Sequence, residues 1–416
     1  MTGRSLAGWL DYIERQHPQA IALGLERVAE VYSGLKIKFE CPVIAVAGTN
    51  GKGSTCAMLE SILQAAGYRV GLYSSPHLLR YNERVRIAGR EIEDAALCAA
   101  FAEVERARGA VPLTYFEFGT LAAFYLFSKE NLDAAILEVG LGGRLDAVNA
   151  VDADCAVLTS VGIDHTEYLG ATREHIGREK AGIFRPGRPA VVADPDPPKS
   201  VLAADAALLL LGRDFGYSKQ GSGGPSQWSY WGPAGKRSGL AHPALRGAMQ
   251  MRNASAALAA LDSLRKRLPV AMQDVRRGLA EVVLPGRFQV LPGRPQVVLD
   301  VAHNPEAAAV LAANLGESGF APETIAVFGM LRDKDIAGVL RAVAPRVTRW
   351  HLATLPGPRG ADADHLLKEF SREKIQVPAF KHETVAAAMA AARREAREGD
   401  KIVVFGSFLT VADAYG

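Results

Sequence analysis

The chain has 416 residues, of which 49% are hydrophobic and 22% are charged, and these fractions are typical of a globular protein with two or three domains. Lys and Arg total 48 against 45 Asp and Glu, a formal net charge of +3, which argues against a nucleic-acid partner. No apolar run approaches the ~20 residues of a membrane span, and the first residues carry no secretory signal. We therefore expect a cytoplasmic protein without a membrane partner.

Apolar runs in the first half of the chain alternate with helical stretches. The run VIAVAG predicts a strand covered on both faces, and a glycine-rich turn and a helix follow it. This order favours an N-terminal domain of the P-loop type, with a mostly parallel sheet and flanking helices. The predicted strands are 43–48, 70–73, 133–139 and 154–161, and the predicted helices are 54–66 and 116–127.

The middle of the chain is less regular. Segments 194–198 and 221–225 are rich in Pro and Gly, and the region 194–235 predicts surface loops and a hairpin without an assigned function. An Ala-rich helix at 253–267 follows. A second alternating set then predicts a smaller, Rossmann-like C-terminal α/β domain, so we divide the chain into 1–288 and 289–416. Its predicted strands are 296–301, 324–329, 349–352 and 401–406, and its predicted helices are 305–315, 335–344 and 384–397.

The turn AGTNGKGST, residues 47–55, is typical of phosphate binding. Its glycines let the backbone approach an anion, and the following helix directs its N-terminal N–H groups toward it. Lys52 can reach the outer phosphates, and the hydroxyl of Ser54 or Thr55 can hold Mg²⁺. The pattern departs from the common P-loop, because Val46 replaces the first glycine and Gly53 separates Lys52 from Ser54. A glycine-rich turn without a ligand is the alternative.

Further motifs follow this loop along the chain: SSPHLLRYNERVRIAG (74–89), TYFEFGT (114–120), LEVGLGGRLDAVN (137–149), DHTEYLG (164–170), IGREKAGIF (176–184), LPGRF (284–288) and DVAHNP (300–305). These motifs, in this order, resemble the folate branch of the Mur ligase superfamily over about residues 23–410. The resemblance implies an ATP-dependent ligase that activates a pteroate or folate carboxylate as an acyl phosphate and condenses it with L-glutamate. It implies dihydropteroate and reduced folates as acceptors, two Mg²⁺ ions, K⁺ as a further candidate cofactor, and a monomer.

The resemblance also implies a metal site formed by Ser54, Glu138 and His165. Glu138 ends an apolar strand, where a carboxylate needs a cation or exposure, and its oxygens suit Mg²⁺. His165 follows another strand end, and a structural hydrogen-bonding role is its alternative, because Mg²⁺ prefers oxygen. Lys180 matches a lysine that is carbamylated in the family, although by its residue type alone it is an ordinary solvated or ion-paired lysine.

The catalytic candidates under this resemblance are Lys52, Lys180 and His303. Arg287 can offer a bidentate fork to phosphate oxygens, and Asp300 ends a strand of the second domain. For Asn253, at the start of its predicted helix, an N-cap role is a serious alternative. The residues expected to bind ATP are Asn50, Gly51, Lys52, Gly53, Ser54, Asn253, Arg287 and Asp300.

Three segments are candidates for the pterin by the same resemblance. Phe116 could stack on a flat heterocycle, with core packing as its alternative, and Asp146 could accept hydrogen bonds from ring N–H groups. Arg80, Arg84 and Arg144 are candidates for the anionic parts of either substrate. The residues of the three segments are Leu25, Glu26, Arg27, Tyr115, Phe116, Glu117, Leu145, Asp146 and Ala147.

Two other functions remain open at the level of sequence. A Mur-type ligase of peptidoglycan precursors would share the fold and the ATP chemistry but would take a UDP-sugar peptide as acceptor. A P-loop nucleotide switch would hydrolyse nucleotide without any dependence on a carboxylate. The motifs TYFEFGT and GGRLDAVN favour the folate branch, and we expect activity on both dihydropteroate and reduced folates.

Overall fold

The computed structural model describes residues 3–220 and 227–415, which form two compact units. The first unit comprises the chain up to Ala244 together with Met251–Val282, and the second comprises Leu245–Gln250 and the chain from Val283 onward. Both units contain mostly parallel sheets flanked by helices, which confirms the predicted α/β class. None of the helices in the described ranges combines the length and apolar character that crossing a membrane requires.

The first unit is built on an eight-stranded sheet with the order β4-β3-β2-β5-β1-β6-β7-β8. The six strands from β2 to β8 in this order run parallel, whereas β3 is antiparallel to β2 and β4 to β3. The strands are β1 (Val43–Ala47), β2 (Val70–Tyr73), β3 (Val85–Ile87), β4 (Arg90–Glu91), β5 (Ala134–Glu138), β6 (Cys155–Leu158), β7 (Pro189–Val192) and β8 (Ala207–Leu210).

Helices cover this sheet because its central strands are apolar on both faces. Every residue of β1, β5 and β6 is buried, as their continuous apolar sequences predict. The helices are α1 (Leu6–Glu14), α2 (Glu26–Leu35), α3 (Lys52–Ala65), α4 (Asp94–Arg108), α5 (Tyr115–Ser128), α6 (Thr166–Leu169), α7 (Arg173–Ala181), α8 (Lys199–Leu202), α9 (Gln250–Ser263) and α10 (Met272–Glu281).

The segment without an assigned function contributes a small antiparallel sheet of β9 (Gly216–Gln220), β10 (Gln227–Gly232) and β11 (Gly235–Ala241). The predicted hairpin is found between β10 and β11, but Tyr230 is fully buried rather than part of a surface loop. Its hydroxyl donates to Asp262 of α9 at 2.7 Å, and Arg237 pairs with the same carboxylate at 2.6 Å. The sheet therefore supports α9. The predicted break at 221–225 lies outside the described residues.

The second unit contains a six-stranded sheet with the order β12-β13-β17-β14-β15-β16, in which only β12 runs antiparallel to its neighbour. Phe328, Trp350 and Phe405 pack edge to face or tilted in its core. The strands are β12 (Gln289–Leu291), β13 (Gln296–Asp300), β14 (Thr324–Phe328), β15 (Arg349–Ala353), β16 (Ala379–His382) and β17 (Lys401–Phe405). The helices are α11 (Pro305–Glu317), α12 (Ile336–Val343), α13 (Ala363–Arg372), α14 (Val385–Glu395) and α15 (Phe408–Tyr415).

Candidate active site

The loop between β1 and α3 can form only with glycine at two positions. Gly48 has φ of +151° and Gly51 has φ of +92°, which side-chain-bearing residues rarely adopt. A Cβ atom at Gly48 would clash with Oγ1 of Thr159, and one at Gly51 would lie 2.7 Å from Oδ1 of Asn253. The backbone thus approaches its neighbours closely, as a phosphate-binding loop requires.

Residues after β6 hold this loop in place. The N–H of Thr49 donates to the Ser160 carbonyl at 2.9 Å, and the N–H of Asn50 donates to the Ser160 hydroxyl at 3.0 Å. The Thr159 hydroxyl donates to the Asn50 carbonyl at 2.7 Å. Sequence analysis missed Thr159 and Ser160, although two hydroxyl residues directly after a buried strand could have indicated them. The loop is therefore preorganised by the protein itself.

The N-terminus of α3 lies at the end of this loop. Gly51 is the N-cap residue and offers no side-chain acceptor to the first-turn N–H groups, so the helix end is suited to an anion. Lys52 folds back over the loop, with Nζ 2.9 Å from the Gly48 carbonyl. The Thr55 hydroxyl donates to the Gly51 carbonyl at 3.0 Å, so Ser54 is the better placed of the two predicted metal-binding hydroxyls.

Glu138 lies beside the strand that leads into the loop. It is the last residue of β5, it pairs in register with Val46 of β1, and it is only 4% exposed. One carboxylate oxygen accepts the N–H of Ser75 at 3.3 Å. Carboxylate oxygens are ligands that hard divalent cations prefer, and the position of Glu138 beside β1 fits a cation near the loop.

The donor set fits a divalent cation that is bound together with phosphate oxygens. Across residues 3–220 and 227–415 there is no group of three or more His, Cys, Asp and Glu side chains able to hold a metal. Mg²⁺ keeps several waters and is bound by one or two carboxylates plus substrate phosphates. A carboxylate and a hydroxyl near a phosphate loop meet that requirement.

His165 and Lys180 lie in constrained positions of the same unit. His165 has φ of +52°, unusual for a residue with a side chain, and its N–H donates to the Asp164 carboxylate at 2.8 Å. Lys180, on α7, is 4% exposed, so the ordinary solvated role is wrong for it, while the ion-paired role stays open. A Cβ atom at Gly143 would lie 2.8 Å from the Lys180 carbonyl, so the loop after β5 packs on α7.

The structure brings the three predicted pterin segments together. Arg27 Nη2 lies 2.7 Å from Glu117 Oε1, and the N–H of Gly24 donates to the Leu145 carbonyl at 3.4 Å. The ring of Phe116 is half-buried against Gly140, where a Cβ atom would lie 2.6 Å from it. These contacts form one wall near the carboxyl ends of β5 and β2.

Individual members of this group differ in what they offer a ligand. The second oxygen of Glu117 accepts the N–H of Thr114 at 2.8 Å in a capping box of α5, so Glu117 acts by holding Arg27. Ala147 is buried at 3% exposure, whereas Glu26 is exposed at the start of α2. Leu25 and Tyr115 are half-buried, and Leu145 is half-buried beside them.

Asp146 is a buried carboxylate next to Leu145. Its two oxygens accept the N–H groups of Leu141 at 2.8 Å and Val148 at 3.0 Å. Burial raises the pKa of Asp146 to about 6, and the backbone donors oppose this rise. The group therefore changes charge in the physiological range, unlike an ordinary aspartate.

Asn253 does not cap its helix. Because α9 begins at Gln250, the residue lies within the first turn, and the N-cap alternative is wrong. Its side-chain oxygen instead faces Gly51 of the phosphate loop. This position is consistent with the predicted contact to ATP.

The remaining predicted residues belong to the second unit. Asp300 accepts the N–H groups of Phe288 at 2.9 Å and Ala302 at 2.8 Å; burial raises its pKa, and Arg287 opposes the rise. The Arg287 guanidinium lies 5.2 Å from the ring centroid of Phe408. His303 Nδ1 lies 2.8 Å from the Val301 carbonyl. A carbonyl only accepts, so Nδ1 is protonated and a neutral ring carries its lone pair on Nε2.

Comparison with known proteins agrees with this geometry. Residues 46–261 match the family model of the Mur ligase middle domain, and residues 286–408 match that of the Mur ligase glutamate ligase domain. The chain is 48% identical over 412 residues to the dihydrofolate synthase/folylpolyglutamate synthase of Escherichia coli K12, with 98% of this chain and 94% of that protein covered.

Solved structures show the same similarity. Escherichia coli FolC in complex with DHPP and ADP superposes with a TM-score of 0.93 at 47% identity, covering 99% of this chain and 97% of that one. A bifunctional folylpolyglutamate synthase/dihydrofolate synthase with Mn, AMPPNP and L-glutamate bound has a TM-score of 0.89 at 46% identity, covering 99% and 97%. The predicted resemblance is confirmed, and the chain belongs to the dihydrofolate synthase/folylpolyglutamate synthase family of Mur ligases.

Proposed function

We propose that this chain is an ATP-dependent ligase that joins L-glutamate to the carboxylate of dihydropteroate and of reduced folates, forming dihydrofolate and folylpolyglutamates. The observation that carries the proposal is the clamped loop from Gly48 to Ser54 beside the buried carboxylate of Glu138. It is supported by the similarity to an enzyme solved with DHPP and ADP.

The chemistry requires two anions to meet. A carboxylate is a poor electrophile, and transfer of the terminal phosphoryl group of ATP converts it into an acyl phosphate that the amine of glutamate attacks. Such transfer depends on positioning and on charge neutralisation. The α3 N-terminus and Lys52 hold the phosphates, and Asn253 supports the loop through Gly51. Ser54, Glu138 and His165 would hold Mg²⁺, which would supply further neutralisation when bound.

The acceptor lies against the wall formed by the three pterin segments. Phe116 packs on the flat ring, Asp146 accepts its N–H groups, and Arg27, fixed by Glu117, completes the wall. Lys180 is proposed to be carbamylated, because a buried lysine converted to an anion can contribute to a cation site. In the second unit, Arg287 and Asp300 are proposed to bind ATP, and His303 to act in catalysis through Nε2.

Three properties of the protein are part of the same proposal. We assign a monomeric state, action in the cytoplasm and K⁺ as an additional cofactor. The four cysteines are unpaired thiols, which fits a reducing compartment. Sizing of the purified chain and the dependence of the rate on K⁺ test the first and the last of these.

Phosphate release from ATP tests the function directly. We expect release only when L-glutamate and a pteridine acid are both present, with dihydropteroate and with tetrahydrofolate. A UDP-sugar peptide serves as the competing acceptor, and a reaction without acceptor detects simple nucleotide hydrolysis. Release with the sugar peptide but not with the pteridines would assign the peptidoglycan alternative, and release without any acceptor would assign the nucleotide switch.

Asp146 makes acceptor use depend on pH. Because its folded pKa of about 6 exceeds the ordinary 3.8, the carboxylate that accepts pterin N–H groups is lost as pH falls through 6. We expect kcat/KM for dihydropteroate to approach a slope of about one decade per pH unit below that point. Measurement between pH 5 and 8 checks this, and Asp146→Asn should flatten the acidic limb at a lower overall rate.

The free energy of unfolding should depend on the charge of Asp146 in the opposite direction from kcat/KM. The folded state binds more protons at Asp146 than the unfolded state between pH 3.8 and about 6, so its contribution to the free energy of unfolding decreases as pH rises through that window. If the fall of kcat/KM at acidic pH persisted unchanged in Asp146→Asn, the pH dependence of acceptor use would belong to another group.

A further inference from the structure

The loop after β2 places the guanidinium of Arg84 against two tyrosine rings. The Arg84 guanidinium carbon lies 5.1 Å from the ring centroid of Tyr81 and 5.5 Å from that of Tyr115. Its Nε donates to Nδ1 of His77 at 2.9 Å. Within residues 3–220 and 227–415, no hydrogen bond or ion pair engages its two terminal nitrogens. The group is thus oriented, while its outer face stays available.

The surroundings of Arg84 keep it in this orientation. The adjacent carboxylate of Glu83 does not neutralise it, because its oxygens accept the N–H groups of Leu78, Leu79 and Arg80, each at 2.7 Å. The two tyrosine rings meet edge to face, with centroids 5.8 Å apart. A Cβ atom at Gly119 would clash with the Tyr81 hydroxyl, so a glycine there makes room for the ring.

His77 is suited to act as the acceptor for Arg84. The pKa of His77 is lowered to about 4, first by burial and then by the neighbouring Arg84, while Glu83 opposes the change. The ring is therefore neutral at physiological pH, and Nδ1 carries a lone pair. It also packs on Tyr81, with ring centroids 5.8 Å apart.

The other two candidate arginines lack this arrangement. Arg144 is neutralised by Glu179, which accepts from two of its nitrogens at 3.1 and 2.9 Å. Arg80 is 65% exposed in its side chain and lies 3.8 Å from Asp94. Of the three, Arg84 alone combines a fixed orientation with an uncompensated charge.

Strand order indicates which anion Arg84 can reach. In the sheet, β5 separates β2 from β1, and β1 leads into the Lys52 loop. Arg84 is tied to the end of β2, since its carbonyl accepts the N–H of Ser74 at 2.9 Å. The carboxylate that is phosphorylated must meet Lys52 on the β1 side. Arg84, beside Tyr115 at the start of α5, is placed for a different carboxylate of the acceptor.

We propose that Arg84, oriented by His77, binds the carboxylate of a glutamyl acceptor that is not phosphorylated, and thereby distinguishes folate-type from pteroate-type acceptors. The proposal rests on the proposed ligase function. Tetrahydrofolate carries two carboxylates, one that reacts and one that does not, whereas dihydropteroate carries only the reacting one. Arg84 is the binding residue of this subsite, and His77 is its positioning residue.

Steady-state kinetics with both acceptors tests the subsite. Arg84→Gln should raise KM for tetrahydrofolate by about 10–100-fold, the range of a charge-assisted hydrogen-bonded pair, and leave KM for dihydropteroate within about twofold. Arg90→Gln, which removes an exposed arginine of β4, should change neither value. In the control variant kcat for both acceptors should match that of the unsubstituted chain.

Two substitutions of His77 separate positioning from packing. His77→Phe keeps a ring against Tyr81 but removes the acceptor, and should raise KM for tetrahydrofolate by about 3–10-fold with kcat unchanged. His77→Asn places Oδ1 near the position of Nδ1 and should restore KM to within about twofold. Thermal unfolding of both variants reports whether either disturbs the fold.

Several results would overturn the proposal. Equal losses with both acceptors in Arg84→Gln would assign Arg84 to the reacting carboxylate or to folding. Unchanged kinetics in His77→Phe would remove His77 as a positioning residue. If the unsubstituted chain released no phosphate with either acceptor, the ligase function itself would fail, and the subsite with it; activity with both acceptors but an unaffected Arg84→Gln would refute the subsite alone.

Discussion

Replacing Lys52 by methionine is expected to lower kcat for phosphate release by about 10²–10³-fold, the usual effect of deleting one preorganised donor to a developing charge. Methionine keeps an unbranched apolar stem but removes the ammonium group that lies 2.9 Å from the Gly48 carbonyl. The loop should keep its shape, because Thr159 and Ser160 fix its backbone without Lys52. The variant should therefore still bind ADP measurably while losing turnover.

The kinetics of Lys52→Met are best judged against Lys38→Met, which removes an exposed lysine of the same unit. Calorimetric titration with ADP and thermal unfolding with and without nucleotide accompany the rate measurement. We expect ADP to raise the unfolding temperature of both variants. Normal turnover by Lys52→Met would show that the loop does not position the terminal phosphoryl group through this residue.

Glu138→Gln is expected to raise the Mg²⁺ concentration that the reaction requires. The amide retains an oxygen that can accept the Ser75 N–H, so the local hydrogen bond survives while the negative charge is lost. The Mg²⁺ concentration that gives half the maximal rate should rise by at least about 10–100-fold, since even indirect metal partners have effects of that order. Titration of the rate with Mg²⁺ at fixed ATP measures this shift.

Thermal unfolding without metal reports whether Glu138→Gln disturbs the fold, because this side chain is only 4% exposed. Glu91→Gln, at an exposed position of β4, controls for the removal of one negative charge. A Glu138→Gln chain with unchanged Mg²⁺ dependence would exclude this residue from the metal site.

Much of the fold could be predicted because it depends on local patterns. The apolar runs at 43–48 and 133–139 are observed as strands buried on both faces, and the glycine-rich turn between β1 and α3 lies where the sequence predicts it. The order of strands within the sheet could not be derived, since β5 inserts between β2 and β1 through contacts distant in sequence. Local periodicity carries no information on that insertion.

The residues of the candidate site could likewise be predicted only where they depend on local sequence. Lys52 follows from its spacing to the glycines, whereas the clamp by Thr159 and Ser160 joins residues more than a hundred positions apart. The sequence also did not separate Arg84 from Arg80 and Arg144, because their difference lies in neighbouring carboxylates. Only the fold shows that Glu179 neutralises Arg144 and that Glu83 is occupied by backbone donors.

The double role of Glu117 bears on how acceptor preference can change during evolution. One carboxylate both closes the first turn of α5 and fixes Arg27, so any substitution there disturbs helix formation and ligand contact together. Substitutions that allow new pteridines to bind should therefore avoid this position. They should accumulate at Phe116, whose ring bears no hydrogen-bonding group. Libraries that diversify Phe116 while keeping Glu117 constant should yield more folded variants with altered preference than libraries that diversify both.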